Sequence, residues 1–216
     1  MNIEQARFNM IEQQLRPARV LDADVLEALA VVKREDFVPP AWRHLAFAET
    51  ELPLGHGAAM FSPWLEARAL QALAMRRHEN VLEIGTGSGY MAALLGAHAD
   101  HVYSFEIEPG LATLARANLQ RASVFNVHVE LGNGLAGLPA HAPFDAIMVS
   151  GGVRAVPKVL LDQLKPGGRL FAVVGTPPTM QAMLFQRSGE HVRSTALFET
   201  EVGFLRGAEA GPDFEF

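Results

Sequence analysis

The stretch Val81-Leu82-Glu83-Ile84-Gly85-Thr86-Gly87-Ser88-Gly89-Tyr90 decides the fold. Four residues with the character of a short buried strand run into glycines at alternate positions. An Ala/Leu-rich stretch, residues 90–97, then reads as a helix. Glycines at a strand-to-helix turn permit positive φ and let a ligand lie against bare main chain. The spacing is G-x-G-x-G, not the G-x-G-x-x-G of a dinucleotide fingerprint. Glu83 ends the strand beside these glycines, and a carboxylate there opposes a pyrophosphate.

Working outward, the same rhythm repeats. Residues 101–105 read as a second strand and 111–119 as a helix. Residues 127–129, 144–149 and 169–174 read as further strands. Short apolar strands separated by helical patterns predict a parallel sheet covered on both faces. The pattern then changes to two strands, 183–187 and 192–198, joined by Ser188-Gly189-Glu190, which predicts an antiparallel hairpin closing the sheet. The expected fold is a three-layer, Rossmann-like α/β arrangement of seven strands, the outline of class I methyltransferases.

Residues 1–78 read as helices and loops that extend this core. Leu21, Val25, Leu26 and Leu29 are placed on one helix face, with Asp22 as its cap. Residues 38–63, rich in Pro, Gly and Ala, are expected to form a loop. Ser62-Pro63 then opens a helix that continues through Leu65, Leu70 and Leu73. The expected organisation is a single domain over 1–216, with a substrate loop in 1–78 and a cofactor-binding core in 79–216.

Composition narrows the class. The 216 residues are 49% apolar and 19% charged, as in a globular chain. A net charge of -6 without a Lys/Arg run predicts no nucleic-acid partner held by bulk charge. With no cysteine, thiolate nucleophiles and zinc–thiolate sites are excluded, and no metal site is expected. The opening MNIEQARFNMIEQQL lacks the pattern of a secretory signal, and no apolar run spans a bilayer. A cytoplasmic address without membrane association is therefore expected.

Three further signals join the glycine turn. Glu106, about 20 residues after the first glycine, stands where an acid accepts hydrogen bonds from ribose hydroxyls. Gly132-Asn133-Gly134 follows the third strand, where a polar side chain meets an adenine edge. Leu164-Lys165-Pro166-Gly167-Gly168-Arg169-Leu170 reads as a helix end and tight turn before the fifth strand. Glu83 suits the cationic amino end of a sulfonium nucleoside, so S-adenosylmethionine is the expected cofactor and S-adenosylhomocysteine its product. The candidate cofactor contacts are Glu83, Ile84, Gly85, Thr86, Gly87, Ser88, Gly89, Glu106, Ile107, Gly132, Asn133 and Gly134.

The chain resembles the protein-L-isoaspartate O-methyltransferases over nearly its whole length. Arg7, Met10, Ile11, Gln14 and Leu15 look like the family's first helix. Phe37-Val38-Pro39 and Leu52-Pro53-Leu54-Gly55-His56-Gly57 look like its pre-sheet region. The glycine turn, the strand ending at Glu106, Phe144 to Ser150 and Val156-Pro157 complete the likeness. The resemblance implies methyl-ester formation on the α-carboxylate of isoaspartyl residues, the first step in repair of damaged proteins. It implies a damaged protein or peptide as acceptor.

The departures fall in four places. Where the family reads Gly-Gln-Thr-Ile-Ser, one residue, then Pro, this chain reads Gly57-Ala58-Ala59-Met60-Phe61-Ser62-Pro63. Phe61 thus occupies the family's active-site serine position. Asn133 replaces a usual Asp, Gly151-Gly152 a usual pair of alanines, and Val202 to Leu205 only loosely follows the final substrate-binding segment.

The candidate catalytic positions are therefore Phe61, Ser62 and His56. A carboxylate nucleophile is already ionised at neutral pH and needs no general base. A hydroxyl would orient it, but Ser62 is expected to be occupied as a helix cap. Two alternatives follow from Phe61. One is a methyltransferase for another acceptor, small molecules included, with His56 as general base. The other is a silent module that binds the cofactor.

Overall fold

The structure, a computed structural model, describes residues 2–208. The chain opens with α1 (Ile3–Asn9), which continues as a π-helical turn over Met10–Leu15. Next comes α2 (Ala23–Val31), capped as expected: the Asp22 carboxylate accepts from the main-chain N–H of Asp24 and Val25. Val25, Leu26 and Leu29 are buried, but Leu21 is 69% exposed and leaves the predicted face. It precedes the cap, outside the helical repeat.

The segment before the sheet is not all helix and loop. β1 (Leu52–Gly55) and β2 (Ala58–Met60) pair antiparallel, with Leu52 opposite Met60. The reversal is made by His56 and Gly57, both at positive φ (53° and 75°), the geometry that tight hairpins require. Pro53 and three positions of positive φ disguise the pair as a loop in the sequence. α3 (Pro63–Leu73) then starts on Ser62, whose hydroxyl accepts from Leu65 N–H at 3.4 Å.

The main sheet holds β3 (Asn80–Ile84), β4 (His101–Glu106), β5 (Val127–Leu131), β6 (Phe144–Val153), β7 (Leu164–Thr176), β8 (Thr179–Ser188) and β9 (His191–Glu199). Their order is β5-β4-β3-β6-β7-β8-β9. The first five are mutually parallel, and β8 and β9 are antiparallel, the expected seven-stranded arrangement. Between the strands run α4 (Tyr90–Gly96), α5 (Pro109–Arg121) and α6 (Lys158–Asp162).

Strand alternation divides the core. Val81, Met148, Phe171 and Val173 pack with α3, α4 and the N-terminal helices, while Leu82, Ile147, Leu170 and Ala172 pack on the opposite face with Leu160 of α6. Arg169 ties the layers together through Glu79 and the carbonyls of Leu73, Ala74 and Asp145. The chain turns from β3 towards β4 on one side and later fills β6 on the other. This switch point opens a crevice at the carboxyl ends of β3 and β6.

β6 is longer than the sequence suggests. It continues through Ser150-Gly151-Gly152 to Val153, with a register shift against β7 between Met148 and Gly152. The glycines carry no apolar signal, so the sequence reading stopped at Val149. Their main chain instead receives the C-terminal segment: Gly152 N–H donates to Gly203 O (2.8 Å) and Leu205 N–H donates to Gly152 O (2.9 Å). A Cβ on Gly151 would meet the Leu205 side chain at 2.6 Å, and one on Gly152 would meet Met180 at 2.7 Å. The glycine pair follows from this close approach.

Candidate active site

The crevice at the strand ends widens into a cavity of about 400 Å³. One end is floored by the glycine turn after β3. Gly85 (φ 96°) and Gly87 (φ 56°) adopt conformations that only glycine takes without strain. A Cβ on Gly85 would come within 2.7 Å of Leu205 and 3.1 Å of Ser150 O. The N–H groups of Gly85 and Thr86 donate to Phe105 O, so the turn is anchored on β4.

Glu106, at the end of β4, faces the same end of the cavity while only 6% exposed. Its carboxylate accepts from Gly87 N–H (2.8 Å) and Glu108 N–H (3.0 Å), one bond per oxygen. Each oxygen keeps a free lone pair. Gly132 N–H donates to Glu106 O, bringing the Gly132–Gly134 turn alongside, where Asn133 caps a short helical turn through Leu135 N–H. Gly134 sits where a Cβ would meet Phe105 at 2.7 Å and Ile84 at 3.0 Å.

The other end is bounded by the β1–β2 hairpin. Ala58, Ala59 and Phe61 form its apolar wall. Phe61 is 7% exposed and belongs to the hydrophobic core while bordering the cavity. Its main chain is fixed by Arg34, which donates from Nη2 to Phe61 O (2.7 Å) and from Nε to Ala46 O (2.9 Å) and pairs with Glu66. Burial pushes the Glu66 carboxyl up to about 7, against the pull of Arg34.

At the rim, Arg206 donates to Glu108 Oε2 (2.7 Å) and to His56 O. His56 Nδ1 lies 3.7 Å from Glu108 Oε1. Three segments distant in sequence are thus joined across the mouth. The Glu108 carboxyl is held below its usual range, first by the Arg206 hydrogen bond and then by Gly110 N–H. At the hairpin end, burial raises the Glu51 carboxyl, and the Glu201 charge adds to it.

Of the residues expected at the cofactor seat, Ile84, Gly85, Gly87, Glu106, Ile107, Gly132, Asn133 and Gly134 line this cavity. Thr86 and Ser88 lie behind it, bordering a smaller cavity, and Gly89 begins α4. Glu83 is elsewhere. It is fully buried beneath the cleft floor and accepts from Ser104 Oγ (2.5 Å) and Ser150 Oγ (2.8 Å). Burial raises its carboxyl to about 8, beyond what the two hydroxyl bonds recover, and the Glu106 and Glu66 charges push it further. Its carboxyl is thus biased towards the neutral form beneath the cleft floor, not the exposed anion that the strand-end position suggested. The strand alternation explains the error: Val81 and Glu83 face α3 and α4, whereas Ile84 reaches the cleft.

Among the candidate catalytic positions, His56 and Phe61 border the cavity, while Ser62 does not and is committed to capping α3. Sequence reasoning missed Arg34, Ser150, Glu108 and Arg206. Ser150 was accessible to it, as a polar residue at a strand end beside the switch point; the others had no local signal. No cluster of three or more His, Asp or Glu suited to a metal ion occurs among the described residues. Nor is any helix among them long and apolar enough to cross a membrane.

Residues 5–205 match the family model described as Protein-L-isoaspartate(D-aspartate) O-methyltransferase (PCMT). The chain belongs to the protein-L-isoaspartate O-methyltransferase family. A relative of that name in Syntrophobacter fumaroxidans (Protein-L-isoaspartate O-methyltransferase 1) is 40% identical over 91% of this chain and 92% of its own. A solved protein-L-isoaspartate O-methyltransferase, 25% identical, matches with a TM-score of 0.81 over 92% of this chain and 65% of that longer one. A putative family member from Plasmodium falciparum, solved in complex with S-adenosyl-L-homocysteine, shares the fold at a TM-score of 0.81 and 18% identity, over 95% of this chain and 99% of that one.

Proposed function

We propose that this chain is an S-adenosylmethionine-dependent enzyme that methylates the α-carboxylate of isoaspartyl residues in damaged proteins or peptides. The observation that carries this reading is a single continuous cavity with a nucleoside-shaped end and an acceptor end. At the first, Glu106 offers lone pairs to ribose hydroxyls, and Gly85 and Gly87 present main chain to the amino-acid tail. Ile84, Phe105 and Leu135 would wall the adenine, with Asn133 at its edge. At the second, the β1–β2 hairpin and residues 203–206 bracket the space for a peptide. The residues present fit the group: each Glu106 carboxylate oxygen keeps a lone pair towards the cavity, and the carboxylates of Glu106 and Glu108 suit a cation.

When bound, S-adenosylmethionine supplies an electrophilic methyl carbon on a positively charged sulfur. That methyl would be available to an acceptor carboxylate oxygen, with the sulfur leaving as the neutral thioether and the opposite charges cancelling. The chain's part is to hold the carboxylate in line and to exclude water. Arg34 fixes the hairpin end through Phe61 O, and Arg206 closes the rim on His56 and Glu108. His56 has no proton to remove from an ionised acceptor, so its place is structural, at the hairpin turn.

A different acceptor, or a module without turnover, is not favoured. Both rested on Phe61 standing where the family has its active-site serine, and Phe61 is a core residue at the cavity's edge. The test is incubation with methyl-labelled cofactor and an isoaspartyl peptide. A base-labile methyl ester is expected; its absence contradicts the reading.

A further inference from the structure

We infer that the hydroxyl of Ser150 is the group that orients the acceptor carboxylate in this chain, in place of a hydroxyl at position 61. This rests on the reading of the function above. Ser150 is the sole hydroxyl-bearing residue among the described residues lining the cavity. It stands at the carboxyl end of the cleft's central strands, and its carbonyl oxygen lies 3.1 Å from where a Cβ on Gly85 would be. Ser150 and Phe61 also border the same small cavity behind the cleft. The two positions therefore share one neighbourhood, and a hydroxyl lost from one is available on the other.

The buried neighbour determines what Ser150 can do. A serine has one hydrogen to donate and two lone pairs to accept with. With Glu83 ionised, Ser150 spends its hydrogen on Oε1, 2.8 Å away. With Glu83 protonated, the acid donates to Ser150 and the serine hydrogen is free to turn into the cavity. Burial favours the protonated form of Glu83 and outweighs the Ser104 and Ser150 hydroxyl bonds, which favour the ionised one. Ser104 is bonded to it and to Thr86, and the charges of Glu106 from β4 and Glu66 from α3, the latter paired with Arg34, both oppose its ionisation. An anionic acceptor adds to that bias. The chain Thr86–Ser104–Glu83–Ser150 thus delivers one donor to the cleft without any net proton transfer.

The test combines kinetics on an isoaspartyl peptide with calorimetric titration of that peptide into the full chain saturated with S-adenosylhomocysteine. Ser150→Ala is expected to lower kcat by roughly tenfold to a hundredfold, the loss of one charge-assisted hydrogen bond. It is also expected to weaken peptide binding while leaving the affinity for S-adenosylhomocysteine unchanged, which reports an intact fold. Adding Phe61→Ser is expected to restore part of the rate. The wild-type rate is expected to fall as pH passes about 8, where Glu83 ionises, and Glu83→Gln is expected to abolish that fall because its amide still donates to Ser150. A Ser150→Ala rate within about twofold of wild type overturns the inference. So does an alkaline fall that persists in Glu83→Gln. A wild-type chain that forms no ester on the peptide overturns the functional reading and this inference together; an active wild type with an equally active Ser150→Ala overturns this inference alone.

Discussion

Arg34 donates from Nη2 to the main-chain carbonyl of Phe61 at 2.7 Å, tying the acceptor wall to a buried ion pair with Glu66. The guanidinium is 1% exposed and lies 5.1 Å from the centre of the Tyr90 ring. One residue from the N-terminal region thus sets the position of a loop that the sheet does not reach.

Removing that residue leaves Glu66 buried without its partner and frees the loop. Arg34→Ala is expected to cost about 3–5 kcal/mol of stability, as for other broken buried pairs. Urea denaturation measures this. Below the transition, the variant is expected to lose more in turnover than in affinity for S-adenosylhomocysteine, because the nucleoside end of the cavity makes no contact with Arg34.

Phe61→Ser has two opposed effects. Deleting a buried ring costs about 3–5 kcal/mol, as large core truncations do. The new hydroxyl lies beside the small cavity that Ser150 also borders. The expected result is a lower melting temperature together with a higher rate per folded molecule on an isoaspartyl peptide. Thermal denaturation and initial rates below the transition check both.

Glu83 gives stability a pH dependence of definite sign. Below its unfolded value of 4.5 the carboxyl is protonated in both states, and its contribution to stability is fully present. Between 4.5 and about 8 the unfolded chain releases the proton and the folded chain keeps it, so rising pH favours unfolding. The loss approaches about 1.4 kcal/mol per pH unit at its steepest and is complete once the folded carboxyl ionises. Glu66 acts in the same direction up to about 7. Glu83→Gln is expected to flatten the stability profile between pH 4.5 and about 8 in denaturation series.

Much of this was legible from the sequence because the signals were local. The strand–glycine–helix stretch 81–90, the acid at 106 and the turn 132–134 are each set by neighbours within a few residues, and the parallel order followed from their alternation. The hairpin 52–60 was hidden because Pro53 and positive-φ turns imitate a loop. Glu83 was placed at the cofactor because its position along the strand was clear while its face was not. One residue of phase separates a cleft residue from a core residue in a strand. Arg34, Glu108 and Arg206 act over distances in sequence that no local pattern encodes: Arg206 reaches His56 across 150 positions.

The measurement closest to the central claim is calorimetric titration of S-adenosylhomocysteine into the wild-type chain and Glu106→Ala. Saturable binding to the wild type is expected, weakened at least tenfold in the variant, since about 1.5–3 kcal/mol attaches to each hydrogen bond with a charged acceptor. Absence of binding to the folded wild type, or equal affinity in the two proteins, would contradict the account.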